Sequence, residues 1–205
     1  MTCATADITI RKGSTFSWVL RCEATPYVYK AITAITKAAP AVITATGHGM
    51  PNGWRAAILS PGGMREIAAK VPAKGAPPAA SEFKKITYID ANSFSLNEVN
   101  SLEFTAYTSG GAVMYMTPVD LASYTARMMI RSTEEATGTP LLSLVSPTDI
   151  ALDNTAKTIN VTIAATATDD LTFLTGAYDL ELVSPAGVVT PLLKGSVTVE
   201  AEVTR

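Results

Sequence analysis

The sequence predicts an all-β protein, and three observations lead to this fold class. Apolar and polar residues alternate with a period of two along most of the chain, which places apolar side chains on one face of a strand. Hydrophobic residues make up 47% of the 205 residues, with many alanines, valines and threonines. Charged residues make up only 17%. The chain is therefore rich in residues that suit strands and long enough to bury a core.

The alternating segments justify the strands in order. In TFSWVLRC, the side chains of Phe16, Trp18, Leu20 and Cys22 share one face, and a turn at Lys12-Gly13-Ser14 precedes this strand. The later alternating segments are SYTARMMIR (residues 123–131), TINVTIA (158–164), AYDLELV (177–183) and SVTVEAEVTR (196–205).

One segment, ATDDLTFLTG (residues 167–176), predicts a helical turn instead. We expect Thr168 to be its N-cap, Asp169 and Asp170 to lie in its first turn, and Gly176 to end it. Carboxylates in a first helical turn interact favourably with the helix dipole. This explanation is favoured over a carboxylate pair for acid–base catalysis.

The middle of the chain differs in composition from its flanks. It holds most of the 13 glycines and a Pro/Ala-rich run, KVPAKGAPPAA, which is expected to be a mobile surface loop at Lys70 to Ala80. We predict a discontinuous β-sandwich, residues 1–30 and 115–205, with residues 31–114 as an inserted small β-barrel module. Two sequential domains are disfavoured, because the N-terminal hairpin alone has too few strands to bury Phe16 and Trp18.

The inserted part contains GHGMPNG, with His48 as the only histidine. Gly47 and Gly49 suit a turn that needs positive φ, and Pro51-Asn52-Gly53 are turn residues before the strand that starts at Trp54. His48 should lie at the loop tip or pack across the turn. A zinc site would need further ligands, and the spacing does not match the dinucleotide-binding motif.

Acidic groups elsewhere do not predict a catalytic or metal site. Asp149, Asp153 and Asn154 lack the dense spacing of a calcium loop, and Glu134-Glu135 suit a solvated hairpin tip. The chain has no G-x-S-x-G, H-E-x-x-H or P-loop motif. The sequence therefore predicts a protein that is not an enzyme, with no catalytic, cofactor-binding or metal-binding residues.

Charge and cysteine usage limit the partners and the compartment. The net charge of −2 favours neither nucleic acid nor an anionic membrane as a partner. The N-terminus lacks an apolar signal region, so we expect synthesis in the cytosol, where a disulfide between Cys3 and Cys22 is disfavoured.

The C-terminal strand is expected to be a sheet edge. Glu200, Glu202 and Arg205 would protect it from pairing, which predicts a monomer or small oligomer in isolation.

The inserted part resembles a small β-barrel module that is named for the first catalytic cysteine half-domain of ubiquitin-activating enzymes. A similar module recurs in many tailed-phage proteins with an H-G turn, an F-x-L strand and a closing Y-T-S-G-G turn. These elements match His48-Gly49, Phe94 to Leu96, and Tyr107 to Gly111. No adenylation domain is recognisable, and Cys22 lies in an alternating strand, so the resemblance does not imply the chemistry of those enzymes.

The flanking segments resemble β-sandwich proteins of phage tails and baseplates. The similar segments are ADITIRKGSTFSWVLR, TPVDLASYTARMMIR and YDLELVSPAGVVTPLLKGSVTVEAEVTR. The resemblance implies an immunoglobulin-like sandwich in a virion structural protein, made in the host cytoplasm. Such a connector or adaptor would link tail components, anchor fibres or spikes, and form a homo-oligomeric ring with tail, portal-proximal or fibre proteins.

Two alternatives stay open. The first is a capsid-decorating or head–tail joining protein, which would share this composition. The second is a glycan-binding module, in which Trp54, Tyr88 and Tyr107 would be an exposed stacking platform. The structural interpretation favours these aromatic residues as barrel core or interface.

Overall fold

The structure, a computed structural model, describes residues 4–72 and 75–202. Nearly all of its regular elements are strands, so the predicted all-β class is confirmed. In chain order the strands are β1 (Ala4–Thr5), β2 (Ile8–Arg11), β3 (Phe16–Arg21), β4 (Glu23–Ala31), β5 (Ala34–Ile35), β6 (Ala41–Thr44), β7 (Arg55–Leu59), β8 (Lys84–Asp90), β9 (Ser93–Leu96), β10 (Ala112–Pro118), β11 (Thr125–Arg131), β12 (Leu142–Val145), β13 (Ile150–Asp153), β14 (Thr158–Ile163), β15 (Thr175–Val183) and β16 (Val189–Glu200). One short α-helix, α1, spans Ala165–Asp169, and short 3-10 helices span Arg65–Ile67 and Ala80–Glu82.

The chain divides into two compact units. The first consists of Met1–Cys22 and Asp120–Arg205, and the second consists of Glu23–Val119. The predicted boundaries at residues 30 and 115 are therefore displaced, because residues 23–30 and 115–119 belong to the second unit. The physical reason is that β4 pairs with β10 along its whole length, from Ala31 opposite Ala112 to Glu23 opposite Pro118.

The first unit contains two sheets. The larger has the order β1-β16-β15-β11-β12, and β2 also pairs with β16. The smaller has the order β13-β14-β3. The ring of Trp18 on β3 meets the ring of Tyr178 on β15 edge to face, with centroids 6.0 Å apart, so the sheets pack face to face as a β-sandwich.

The C-terminal strand is not the exposed edge that the sequence predicted. β16 pairs with β15 on one side and with the parallel strands β1 and β2 on the other. Its inward residues Val197 and Val199 are consequently buried. The predicted role of Arg205 lies outside the described residues.

The predicted helix limits are also wrong. Ala164 is the N-cap of α1, and Asp170 is the C-cap, so Asp169 and Asp170 lie at the end of the helix rather than in its first turn. Thr168 is buried, with its hydroxyl 2.9 Å from the carbonyl oxygen of Ser14. This hydroxyl therefore makes a tertiary hydrogen bond and does not cap the helix.

Gly176 lies in β15 and does not end a helix. A Cβ at this position would lie 2.7 Å from the carbonyl oxygen of Arg131. The glycine is therefore required by close approach to β11.

The second unit is a closed barrel. Its seven strands have the order β4-β10-β7-β8-β9-β6-β5. β4 continues into β5 through Ile32 and Thr33, whose N–H groups donate to Gly111 beside β10 and to Thr44 on β6. The first and last strands in this order, β4 and β5, thus belong to one continuous segment of chain, and the sheet closes on itself.

Fourteen buried residues form the barrel core: Ile32, Ile35, Ile43, Ala45, Met50, Trp54, Ala56, Ile58, Met64, Ile86, Phe94, Leu96, Val113 and Tyr115. Strands β5 to β10 contribute to this core, and Val28 on β4 is partly buried against it. The core is therefore local to this unit.

The Pro/Ala-rich run lies in the connection between β7 and β8. Lys70, Val71 and Pro77 are exposed, but Pro78 is buried. The backbone N–H of Lys70 donates to the carboxylate of Glu82 across a distance of 3.0 Å, which ties the two ends of the run together. Ala73 and Lys74 of the predicted loop lie outside the described residues.

Candidate functional site

The structure places His48 across the turn and fully buries it at one end of the barrel. Its Nδ1 accepts a hydrogen bond of 3.1 Å from the backbone N–H of Met50. The ring proton therefore lies on Nε2, which donates to the carbonyl oxygen of Asp90 at 2.9 Å. Both ring nitrogens are engaged by the backbone, so neither offers a lone pair to a metal ion.

Further contacts join His48 to three parts of the barrel. Its ring meets the rings of Tyr88 and Phe94 edge to face, with centroids 5.7 Å and 5.3 Å apart. Its backbone N–H donates to Ala91, and its carbonyl oxygen accepts from the hydroxyl of Tyr115. Burial raises the pKa of the Tyr115 hydroxyl above its usual value. His48 thus holds a loop, a hairpin and β10 together.

The glycines beside His48 have the backbone conformation that the sequence predicted. Gly47 and Gly49 have φ values of +59° and +66°. The N–H of Gly47 donates to the Asn92 side chain at 3.0 Å, which fixes the loop to the β8–β9 hairpin. Asp90 caps the same hairpin, and the hydrogen bond from the Asn92 N–H lowers the pKa of its carboxyl.

The aromatic platform that the glycan-binding alternative requires is not assembled. Trp54 is only 1% exposed, and its Nε1–H donates to the carbonyl oxygen of Met116. Tyr107 packs against the barrel core, with its hydroxyl 2.9 Å from the carbonyl oxygen of Ile32. Tyr88 alone of the three is exposed, at 43%. The glycan-binding alternative therefore lacks its exposed Trp54, and the favoured core interpretation is confirmed for Trp54 and Tyr107.

The side chains considered for calcium hold turns instead. Asp149 and Asp153 each accept hydrogen bonds from backbone N–H groups within their own turns. The side-chain oxygen of Asn154 accepts from the N–H of Leu121 and from Lys157 Nζ, both at 2.7 Å. Across residues 4–72 and 75–202, no cluster of three or more His, Cys, Asp or Glu side chains could hold a metal ion.

Cys22 is buried directly after β3, and its N–H donates to the carbonyl oxygen of Lys157 at 2.8 Å. Cys3 lies outside the described residues. The absence of a disulfide between them therefore stays a prediction.

Sequence analysis missed a charged depression on the larger sheet of the first unit. It has a volume of about 210 Å³, and its lining includes Arg131, Asp179 and Lys194. Partial burial, together with the nearby Glu181 carboxylate, raises the pKa of the Asp179 carboxyl. Asp179 lies opposite Lys194 in the β15–β16 ladder, and no local sequence motif reveals such a cross-strand pair.

Around this depression, other charges form ion pairs. Glu134 lies 3.2 Å from Lys194 Nζ, so the predicted hairpin-tip acid is exposed but paired. Arg127 contacts Glu181 at 2.6 Å. These pairs are partly exposed, so they position the side chains more than they stabilise the fold.

A second concavity, of about 510 Å³, lies on the barrel. Its apolar lining includes Ile67, Val99 and Phe104, which also pack against the barrel core. At its rim, Glu66 accepts hydrogen bonds from the N–H and hydroxyl of Thr105 at 2.9 Å and 2.8 Å, and these bonds lower the pKa of its carboxyl. The volume falls in the range of ligand pockets. Its residues are distant in sequence, so periodicity could not reveal it.

In the described ranges, no helix is long and apolar enough to cross a membrane. Neither a scan against protein-family models nor a search of curated proteins finds a match to the chain.

Proposed function

We propose that the protein is a non-enzymatic structural protein of a tailed-bacteriophage virion. It acts as a connector or adaptor in the tail or baseplate, where it links tail components and anchors fibres or spikes. The proposal rests on the resemblance of the flanking segments to tail and baseplate sandwiches. It includes an immunoglobulin-like topology for the sandwich.

One observation carries the proposal: the chain builds two compact β units, and each presents exposed apolar side chains on a hairpin. On the barrel, Tyr88 and Ile89 are exposed beside the β8–β9 turn. On the sandwich, Val188 before β16 and Val189 at its start are exposed. Exposed apolar side chains on firmly braced turns suit contacts with neighbouring subunits.

The barrel hairpin is rigid enough for such a contact. The N–H of Tyr88 donates to the side chain of Asn52 at 3.0 Å, and the hairpin also accepts from His48. A bulge between Tyr88 and Asp90 sets Ile89 out of the regular alternation. Because these groups are already ordered, binding costs little conformational entropy.

A structural adaptor of this kind would act mechanically. Each unit would contact a different neighbour, and a symmetric assembly would repeat each weak contact. Affinity would then come from many interfaces rather than from one deep site.

The test is labelled electron microscopy of intact particles of the phage that encodes the chain, with an antibody raised against the purified protein. Label at the tail or baseplate supports the proposal. Label on the capsid or neck supports the capsid-decorating or head–tail joining alternative instead. Particles without label, or hydrolysis of host glycans by the purified protein, would overturn it.

A further inference from the structure

The smaller sheet of the sandwich ends at β3. β3 pairs with β14 on one side, and no strand in the described part of the chain pairs with its other side. The N–H of Cys22 donates to the carbonyl oxygen of Lys157, the residue just before β14. Backbone groups alternate in direction along a strand, so the N–H and C=O groups of Trp18 and Leu20 also face β14. The N–H and C=O groups of Ser17 and Val19 face the opposite way.

The inner side chains of β3 are incompletely covered. Phe16, Trp18 and Leu20 are half-buried. Their partners across the β14 ladder, Ile163, Val161 and Ile159, are fully buried. Exposure therefore rises at this edge, where one more strand would complete the apolar layer.

The other sheet ends of the sandwich are better protected. β1 has two residues, and β2, β12 and β13 have four each. β3 has six, contains no proline, and carries its single charge at Arg21, its last residue. Natural edge strands are usually short, charged or interrupted, so β3 departs from this rule.

We infer that β3 is a self-association edge, at which a second copy of this chain adds its own β3 in antiparallel orientation. The missing strand needs apolar residues facing inward and no charge at its centre, and β3 itself has this pattern. With the two-fold axis at Val19, each Val19 lies opposite the other. Trp18 then lies opposite the second copy's Leu20, and Ser17 opposite the second copy's Arg21.

This pairing is isologous and closes after two copies. No two like charges lie opposite each other, because Arg21 faces a serine. The inner faces of both β3 strands merge into one apolar layer. The inference concerns the free protein and does not depend on the proposed place in a virion.

The test is sedimentation velocity of the full chain over a range of concentrations, with the variants Val19→Lys and Leu174→Lys. The two side chains are 61% and 72% exposed, so neither substitution disturbs the core. We expect the wild-type chain and Leu174→Lys to form a dimer at the higher concentrations. Val19→Lys places two ammonium groups opposite each other and should raise the dimer dissociation constant about tenfold or more.

Tryptophan fluorescence provides a second measurement. The chain has two tryptophans, and Trp54 is already buried, so a change in emission on dimerisation reports Trp18. Emission should shift to shorter wavelength as the wild-type concentration rises, and should stay constant for Val19→Lys. A wild-type chain that is monomeric at every concentration, or a dimer equally sensitive or insensitive to both variants, would overturn the inference.

Discussion

The barrel and the sandwich bury their apolar residues by different means. The barrel sheet closes through the continuous segment from β4 to β5, and Trp54 inside it is only 1% exposed. The smaller sandwich sheet ends at β3, where Trp18 is half-buried. The same alternation of residues therefore leaves apolar side chains incompletely buried at an open edge, which the closed sheet lacks.

The largest effect should come from the same substitution made in both units. Trp54→Ala removes a fully buried ring and should lower the free energy of unfolding of the barrel by about 3–5 kcal/mol. Trp18→Ala removes a half-buried ring and should cost clearly less. Urea denaturation followed by circular dichroism measures both values. An equal or larger loss for Trp18→Ala would contradict the contrast between closed and open sheets.

Two adjacent glycines test how tightly the barrel is closed. Gly110 and Gly111 have φ values of +71° and +83°, so alanine is strained at both, by about 1–2 kcal/mol. At Gly111 the added Cβ would also lie 2.8 Å from Pro61 Cα, whereas at Gly110 it would meet nothing within 4 Å. Gly111→Ala should therefore lower the thermal midpoint more than Gly110→Ala. Equal losses would mean that this contact relaxes without cost.

His48→Ala tests whether the turn depends on the imidazole. The variant leaves the N–H of Met50 without its acceptor and removes the contact with Phe94, so we expect a loss of about 2–3 kcal/mol. Tyr88→Ala is the control, because Tyr88 contacts the same ring but is exposed, and it should cost less. Elemental analysis accompanies the measurement: one equivalent of bound zinc per chain, lost in His48→Ala, would contradict the structural role.

The smallest expected effects are on how the stability of the fold depends on pH. Glu66 on the barrel has a lowered carboxyl pKa, so its contribution to stability is present above the usual value of 4.5 and is lost as the pH falls through the folded-state value. Asp179 on the sandwich has a raised pKa, so its effect is opposite: stability is present below 3.8 and is lost as the pH rises through the folded-state value.

Matched variants separate these two groups. Glu66→Gln should weaken the fall in stability in acid, whereas Asp179→Asn should stabilise the chain slightly at neutral pH and have no effect in acid. Thermal midpoints measured from pH 3 to pH 7 follow both changes, with pH values chosen around the reference carboxyl values. Parallel profiles for the two variants would show that the opposed shifts do not exist.

Local patterns in the sequence predicted much of the strand content. Alternation identified β3, β11, β14, β15 and the C-terminal part of β16, because each strand has one buried and one exposed face. The glycines around His48 predicted a turn, since positive φ is a local property. The immunoglobulin-like detail stays a prediction.

Long-range contacts account for what the sequence did not reveal. The parallel pairing of β2 with β16 joins the two ends of the chain and has no turn signal between them. Thr168 looked like an N-cap, but its hydroxyl reaches Ser14, which is distant in sequence. The concavity beside Glu66 combines residues from several strands and loops. Such groupings depend on the tertiary fold and not on local periodicity.

The pairing of Glu23 with Pro118 means that the barrel begins and ends on one rung of a ladder. Neighbouring strands lie about 5 Å apart, so a host fold needs only two backbone positions at that spacing to accept the whole module. The barrel is therefore a module whose two chain ends lie side by side. It could be excised at residues 23 and 119 and closed with a short bridge, or grafted into a surface hairpin of an unrelated protein, without opening its own ladder.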